Sequence, residues 1–296
     1  MPPLRALILL ALTWTFSGPT FACAVCACGD PTLTVMGAEQ PFAGRLRVSG
    51  ELQHRSDRIG QSGVDQVYLR EQSLNLGFSW APTDRWQLSL VLPLGHRFAE
   101  DVSLAETQIW STGDLDTRAR FVAWKQAKGQ GSALLGLSTG LRWPTAPLNL
   151  GADGQALPMS AQLGTGSVTG ALGLWGLRTW RPWSLFGSST LYVAAPGVFP
   201  SLAGPSLRTS LLGQWQPETK LGFRFGEEIR VDAPAEENGR PEPDTGGWIS
   251  FTTLDLLWSP AMDLVVRAGI AVPTLQALRG HHEEGLVLNL GVAVDL

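Results

Sequence analysis

The twelve residues from 285 to 296, GLVLNLGVAVDL, are compatible with few folds. Read with a period of two, they place Leu286, Leu288, Leu290, Val292, Val294 and Leu296 on one face. Val287, Asn289, Gly291, Ala293 and Asp295 fall on the other. One face is apolar without interruption and the other small or polar, as in a strand with lipid outside and a confined polar space inside. A soluble sandwich alternates in the same way, so the rest of the chain has to decide.

The N-terminus sets the compartment. Residues 1–5 carry one positive charge, residues 6–16 are mostly apolar and residues 17–22 form a small-residue exit, which together read as a secretory signal peptide over 1–22, with cleavage after residue 24 as the alternative. Beyond it there is no apolar run of about eighteen residues, so a spanning helix is not expected. The other structure that satisfies its own backbone hydrogen bonds in lipid is a closed β-barrel. The 34 Gly and 12 Trp suit that reading. A formal charge of -4 with no dense basic cluster gives no reason to expect a nucleic-acid partner.

From residue 45 onward, segments of strand length follow one another, about twelve in all. Their connections alternate. APTDR (81–85), QAKGQG (126–131), RPW (181–183), QPET (216–219) and SPAM (259–262) are short, whereas 99–112, 144–160, the PGVFPSLAG stretch, 232–247 and 273–284 are long and polar. This predicts an all-β fold, a transmembrane antiparallel up-and-down barrel of about twelve strands over residues 43–296, with short periplasmic turns and long external loops. Trp80, Trp86, Trp124, Trp180, Trp183, Trp215 and Trp258 all lie beside short turns, where an interfacial aromatic girdle belongs. Tryptophans of a soluble core would show no such preference.

Phase assigns the charges. Arg45, Arg47, Glu51, Asp114, Asp116, Arg118, Arg120, Arg142, Arg208, Arg224, Glu228, Arg230, Asp255, Arg267 and Asp295 fall on non-lipid faces and are the candidate lumen residues. A charge turned to lipid near the midplane would cost about 2–4 kcal/mol. Residues 167–194 are ambiguous and remain unphased. Arginines outnumber acids in this set, so the lumen either pairs them into a plugging network or keeps a positive lining with a weak anion preference.

Four pieces together resemble a family of bacterial outer-membrane barrels named for the meta-pathway of phenol degradation, related to barrels that admit hydrophobic and aromatic compounds. They are VLPLG (91–95), GDLDTRARF (113–121), LRWPTAP (141–147) and LGTGSVTGALGL (163–174), in the family's order and at strand spacing. The chain departs from the family in having Pro144-Thr145-Ala146 where Pro-Thr-Gly is usual and in ending on Leu296 where an aromatic residue is usual. The resemblance implies transport, with lipid, a small solute and the barrel-assembly machinery as partners and with no cofactor.

Chemistry has few footholds. Cys23, Cys26 and Cys28 in CAVCAC suit a soft metal such as Cu(I) or zinc. A Cys23–Cys26 disulfide, or loss of Cys23 on cleavage after residue 24, is the preferred alternative. The run His281, His282, Glu283, Glu284 reads as a solvated loop tip. His54 and His96 lie near outer rims without a serine motif beside them, so no enzyme is expected. Two functions follow: a channel for small hydrophobic or aromatic solutes, or a non-transporting partner of a periplasmic protein acting through residues 23–42. In either case residues 232–247 belong outside the cell, and an epitope inserted near Asn238 should be reached by antibody on intact cells. Labelling only after permeabilisation would invert the orientation.

Overall fold

The computed structural model describes residues 43–296 except 105, 129–130, 152–153, 155–156, 158–161 and 262. The signal segment, residues 23–42 and the three cysteines lie outside the described residues. The wall is built from β1 (Leu46–Ile59), β2 (Val67–Trp80), β3 (Trp86–Glu100), β4 (Glu106–Thr112), β5 (Leu115–Lys128), β6 (Gly131–Trp143), β7 (Thr169–Trp180) and β8 (Trp183–Ala194). After the short β9 (Ser201–Leu202) come β10 (Ser206–Glu218) and β11 (Leu221–Asp232). The short β12 (Glu236–Glu237) and β13 (Arg240–Pro241) precede β14 (Gly247–Ala261), β15 (Leu264–Leu278) and β16 (Glu283–Asp295). β9, β12 and β13 form a separate three-stranded sheet above the wall.

Neighbouring wall strands are antiparallel, and β16 returns to pair with β1 through Arg47↔Asp295 to Arg58↔Glu283, so the sheet closes. β4 and β5 occupy one position, both against β3, which gives a closed barrel of 12 strands. Residues 99–112, expected from their polarity to be a loop, are in part wall. In the structure Glu106–Thr112 continues the wall upward, and the chain breaks at Gly113, whose N–H donates to Pro93 O at 2.8 Å.

The period-two pattern holds around the wall. Leu52, Leu135, Leu211 and Leu290 stand more than half exposed on the outer surface, while Arg47, Glu51, Arg208 and Arg267 are buried within. A band of exposed Leu, Val and Phe edged by Trp80, Trp86, Trp124, Trp180, Trp183, Trp215 and Trp258 is what a bilayer-spanning barrel must show. The stretch left unphased resolves with Trp175, Leu177, Phe186 and Tyr192 inward and Leu172, Leu174, Leu185 and Leu191 outward. It is ambiguous in sequence because large apolar and small polar residues occur on both of its faces. Glu227, exposed on β11, also faces outward and accepts hydrogen bonds from Ser250 Oγ at 2.8 Å and from the Thr252 hydroxyl.

The seam between first and last strands is fastened from inside. Arg47 holds Asp295 with both ends of its fork, Nε to Oδ1 at 2.6 Å and Nη2 to Oδ2 at 2.7 Å, and Arg45 adds a second guanidinium. Bidentate geometry makes this a strong pairing. Removing one partner leaves the other charge in a confined space. Asp295→Ala should therefore destabilise the barrel by about 3 kcal/mol, whereas Arg47→Met combined with Asp295→Leu should cost clearly less. Urea titration of the folded, heat-modifiable form in micelles measures both, and equal losses would show that the pair does not act as a unit.

Candidate functional site

The interior is built in tiers. Nearest the short turns, above the Arg47–Asp295 seam, Arg267 bridges Glu51 at 3.0 Å and Asp255 at 2.9 Å, and Arg224 approaches Asp255 at 3.8 Å. The facing wall is apolar: Val122, Leu134, Trp175, Leu177, Phe186 and Leu212 form one buried cluster. Arg120 lies flat on the Trp175 ring, 4.1 Å from its centroid. The indole can lie against the wall because Gly136 has no Cβ, which would sit 2.5 Å from Trp175 Cε2. Its N–H is satisfied by Leu137 O at 3.1 Å.

In the middle tier Arg118 donates to Asp116 at 2.8 Å and to Tyr192 Oη at 2.9 Å, and Arg142 reaches Asp116 at 3.4 Å. Arg208 stacks over the Tyr192 ring at 5.0 Å. Towards the long loops, Arg230 holds Asp232 at 2.7 Å and grips Glu284 with both terminal nitrogens. Arg55 pairs with Asp57 at 2.9 Å, and Arg97 pairs with Glu71.

The family-like pieces converge at the barrel mouth. Asp114 accepts from Thr165 N at 2.7 Å, Thr165 Oγ1 at 2.8 Å and Ala146 N at 3.2 Å, while Leu115 N donates to Thr145 Oγ1 at 2.9 Å. Arg97 Nη1 donates to Gln162 O at 2.5 Å. Together these bonds tuck parts of the long loop 144–168 into the barrel. Close approach explains the glycines. A Cβ on Gly113 would lie 2.6 Å from Pro93, one on Gly95 would lie 2.8 Å from Leu163, and one on Gly164 would lie 2.3 Å from Ala146 Cβ. Ala146 is thus accommodated by the bare Gly164 opposite it.

Two cavities lie in series. The inner, about 180 Å³, is walled by charged residues and by Val91, Pro93, Leu163, Leu212, Phe251 and Val287. The outer, about 90 Å³, is lined by Tyr192, Ala203, Ala235, Thr245, Leu278 and His282 among others. Arg142, Arg208, Arg230 and Glu284 belong to both, so they stand where the two meet.

Of the residues singled out from sequence, Glu51, Asp114, Asp116, Arg142, Arg208, Glu228, Arg230, Asp255 and Arg267 border the inner cavity. Arg45, Arg47, Arg118, Arg120 and Arg224 face inward but border neither cavity, because they are engaged at the seam, on Tyr192, on Trp175 and with Asp255. Arg55, Asp57, Glu71, Arg97 and Glu284 also face inward, though strand phase did not assign them; Asp57 and Glu71 pair the two added arginines, and Glu284 pairs Arg230 of the candidate set. Glu71 was legible, since it alternates with Leu74 and Leu76 through Ser73 and Asn75 on a recognised strand. Glu284 was not. The run 281–284 is only half solvated: His281 and Glu283 are exposed, but β16 begins at Glu283, and His282 and Glu284 are 9% and 6% exposed.

No protein-family model and no curated protein matches the chain. Among solved structures, its fold is similar to an outer-membrane channel from Pseudomonas putida F1, at 15% identity over 88% of this chain and 97% of that one, with TM-score 0.68. It is also similar to the translocator domain of the autotransporter NalP from Neisseria meningitidis, at 13% identity over 87% and 90%, with TM-score 0.51. Both likenesses are of fold, and they agree with an outer-membrane barrel.

Burial holds the His282 imidazole at about 4, well below its ordinary 6.5; Glu284 pulls it up, but less, and Arg230 and Arg55 push it further down. The folded protein keeps this ring neutral while the unfolded chain takes up a proton below about pH 6.5. Stability is therefore lost as pH falls from about 6.5 towards 4 and is flat, for this group, below that. The sum is on the order of 3 kcal/mol. His282→Gln should flatten the drop in unfolding free energy between about pH 7 and pH 5.5, above the main carboxylate range. An unchanged slope would mean the ring is solvated.

Proposed function

We propose that this chain is a passive outer-membrane channel for small hydrophobic or aromatic solutes. The observation that carries the reading is the pair of cavities in series, bounded by Arg142, Arg208, Arg230 and Glu284, inside a barrel whose ends face opposite sides of the membrane. An interior that combines Val91, Pro93, Leu163 and Phe251 with ion pairs offers an apolar surface to a ring and donors to a polar substituent. The motif pieces that resemble the phenol-named family support the same solute class. Because the arginines are largely paired with carboxylates, weak ion selectivity is expected.

The test is conductance in planar bilayers together with uptake of a small aromatic solute by proteoliposomes. Arg230 and Glu284 pair where the two cavities meet, so Arg230→Ala with Glu284→Ala, which removes both side chains from that point, should raise conductance about twofold or more while the barrel still inserts, since lumen changes tune passage and lipid-face changes damage stability. Arg230→Ala alone should insert less well, because it strands Glu284, whereas Glu284→Ala alone leaves Arg230 its bond to Asp232 and should insert nearly normally. If wild-type protein gives neither conductance nor uptake, and removing residues up to 42 does not open it, a structural role beside a periplasmic protein replaces the channel.

A further inference from the structure

The outer surface is apolar between its rims, and the two rims are not alike. On the short-turn side the boundary is a tryptophan girdle. On the long-loop side of β1–β4 it is a set of polar rows fixed by register. His54, Gln72, His96 and Trp110 lie across from one another, and one step further out come Ser56, Arg70, Phe98 and Gln108. Below them the rows are apolar, beginning with Leu52, Leu74 and Leu94.

Arg70 is the centre of this patch. It is exposed on the lipid side of β2, with its guanidinium over the rings of Tyr68 at 5.0 Å and Phe98 at 5.2 Å. Among the described residues no carboxylate lies within ion-pair distance of it. Its neighbours are a weak, mostly exposed Arg58–Glu283 pair at 3.6 Å and the facing acids Glu100 and Glu106 in the outermost row. Beside it His96 stacks on Trp110 at 4.1 Å. Stacking on aromatic faces steadies a guanidinium and leaves its edge N–H donors free for a planar or tetrahedral oxyanion.

Height identifies the oxyanion. Arg70 is ten residues from the girdle residue Trp80, which on a strand rising ~3.3 Å per residue and tilted ~40° is about 25 Å along the membrane normal. That is the thickness of the apolar band, so the guanidinium sits at headgroup level. The same ten-residue step on β14, from Trp258, leads to Trp248, an aromatic anchor with no cation. We propose that the outward face of β1–β4 is a binding site for a phosphorylated glycolipid headgroup of the outer leaflet, with Arg70 holding the phosphate and the Phe98 and Trp110 rings flanking the sugar and acyl boundary.

The full-length mature protein, purified in non-ionic detergent, is incubated with diphosphoryl lipid A, monophosphoryl lipid A, phosphatidylethanolamine or inorganic phosphate, and retained adducts are read by native mass spectrometry. Retention should be strongest for the diphosphoryl lipid and weakest for phosphatidylethanolamine. Arg70→Gln should lower it about fivefold or more, Arg70→Lys should lower it less, and Arg178→Gln, at the exposed arginine over Trp180 on the opposite rim, should leave it unchanged. Heat-modifiable migration reports folding of each variant. Retention by folded Arg70→Gln equal to wild type overturns the proposal, as does equal loss in Arg178→Gln. Displacement of the lipid by inorganic phosphate at matched concentration would make this a free-anion site and also overturns it. If Arg70→Gln does not fold, the lysine variant decides, and undiminished retention there removes the role of the stacked fork.

Discussion

The backbone of this protein has to satisfy its hydrogen bonds without water, and the rest of the structure follows from that requirement. In lipid an open sheet edge is prohibitively costly, so β16 must meet β1 and the register must close. Closure in turn creates an inside. Once there is an inside, period two sends every second side chain into a confined space and every other one into hydrocarbon. The charge distribution is a consequence of these two environments.

Confinement then governs how the interior charges behave. Isolated, each buried arginine would be costly, so they come as shared networks: Arg267 between Glu51 and Asp255, Arg230 between Asp232 and Glu284, and Asp295 between two arginines. Such pairs gain little net stability over apolar packing, but losing one partner is severe. They therefore specify an arrangement more than they strengthen it. The apolar cluster around Trp175 does the opposite on the facing wall, filling space by packing, with Arg120 laid on the indole as a bridge between the two regimes.

The mouth of the barrel shows how sparse motifs combine. Pro93, Gly113, Asp114, Thr145 and Thr165 are far apart in sequence and carry no obvious chemistry. In space they are one staple, with Asp114 as the acceptor and the glycines as clearance for the inturned loop. Their spacing serves geometry and not reactivity, which is why they do not look like an active site.

The sequence by itself determined the wall: strand periodicity, short and long connections and tryptophans at one end are local signals, and lipid on one side makes each strand's phase nearly obligatory. It also placed Arg47, Glu51, Asp255 and Arg267 inward. It could not phase residues 167–194, where Trp175 and Phe186 face the interior and both sides mix apolar with small polar residues, nor could it see that Glu284 continues a strand, because a charged residue at a strand end reads like a loop. Only the tertiary structure decided which arginine meets which acid, that Asp57, Glu71 and Glu284 pair Arg55, Arg97 and Arg230, and that a long loop folds inward to shape the cavities. Those outcomes depend on cross-strand register and on distances across a closed lumen, between residues up to 250 positions apart such as Arg45 and Asp295, and no local pattern encodes them.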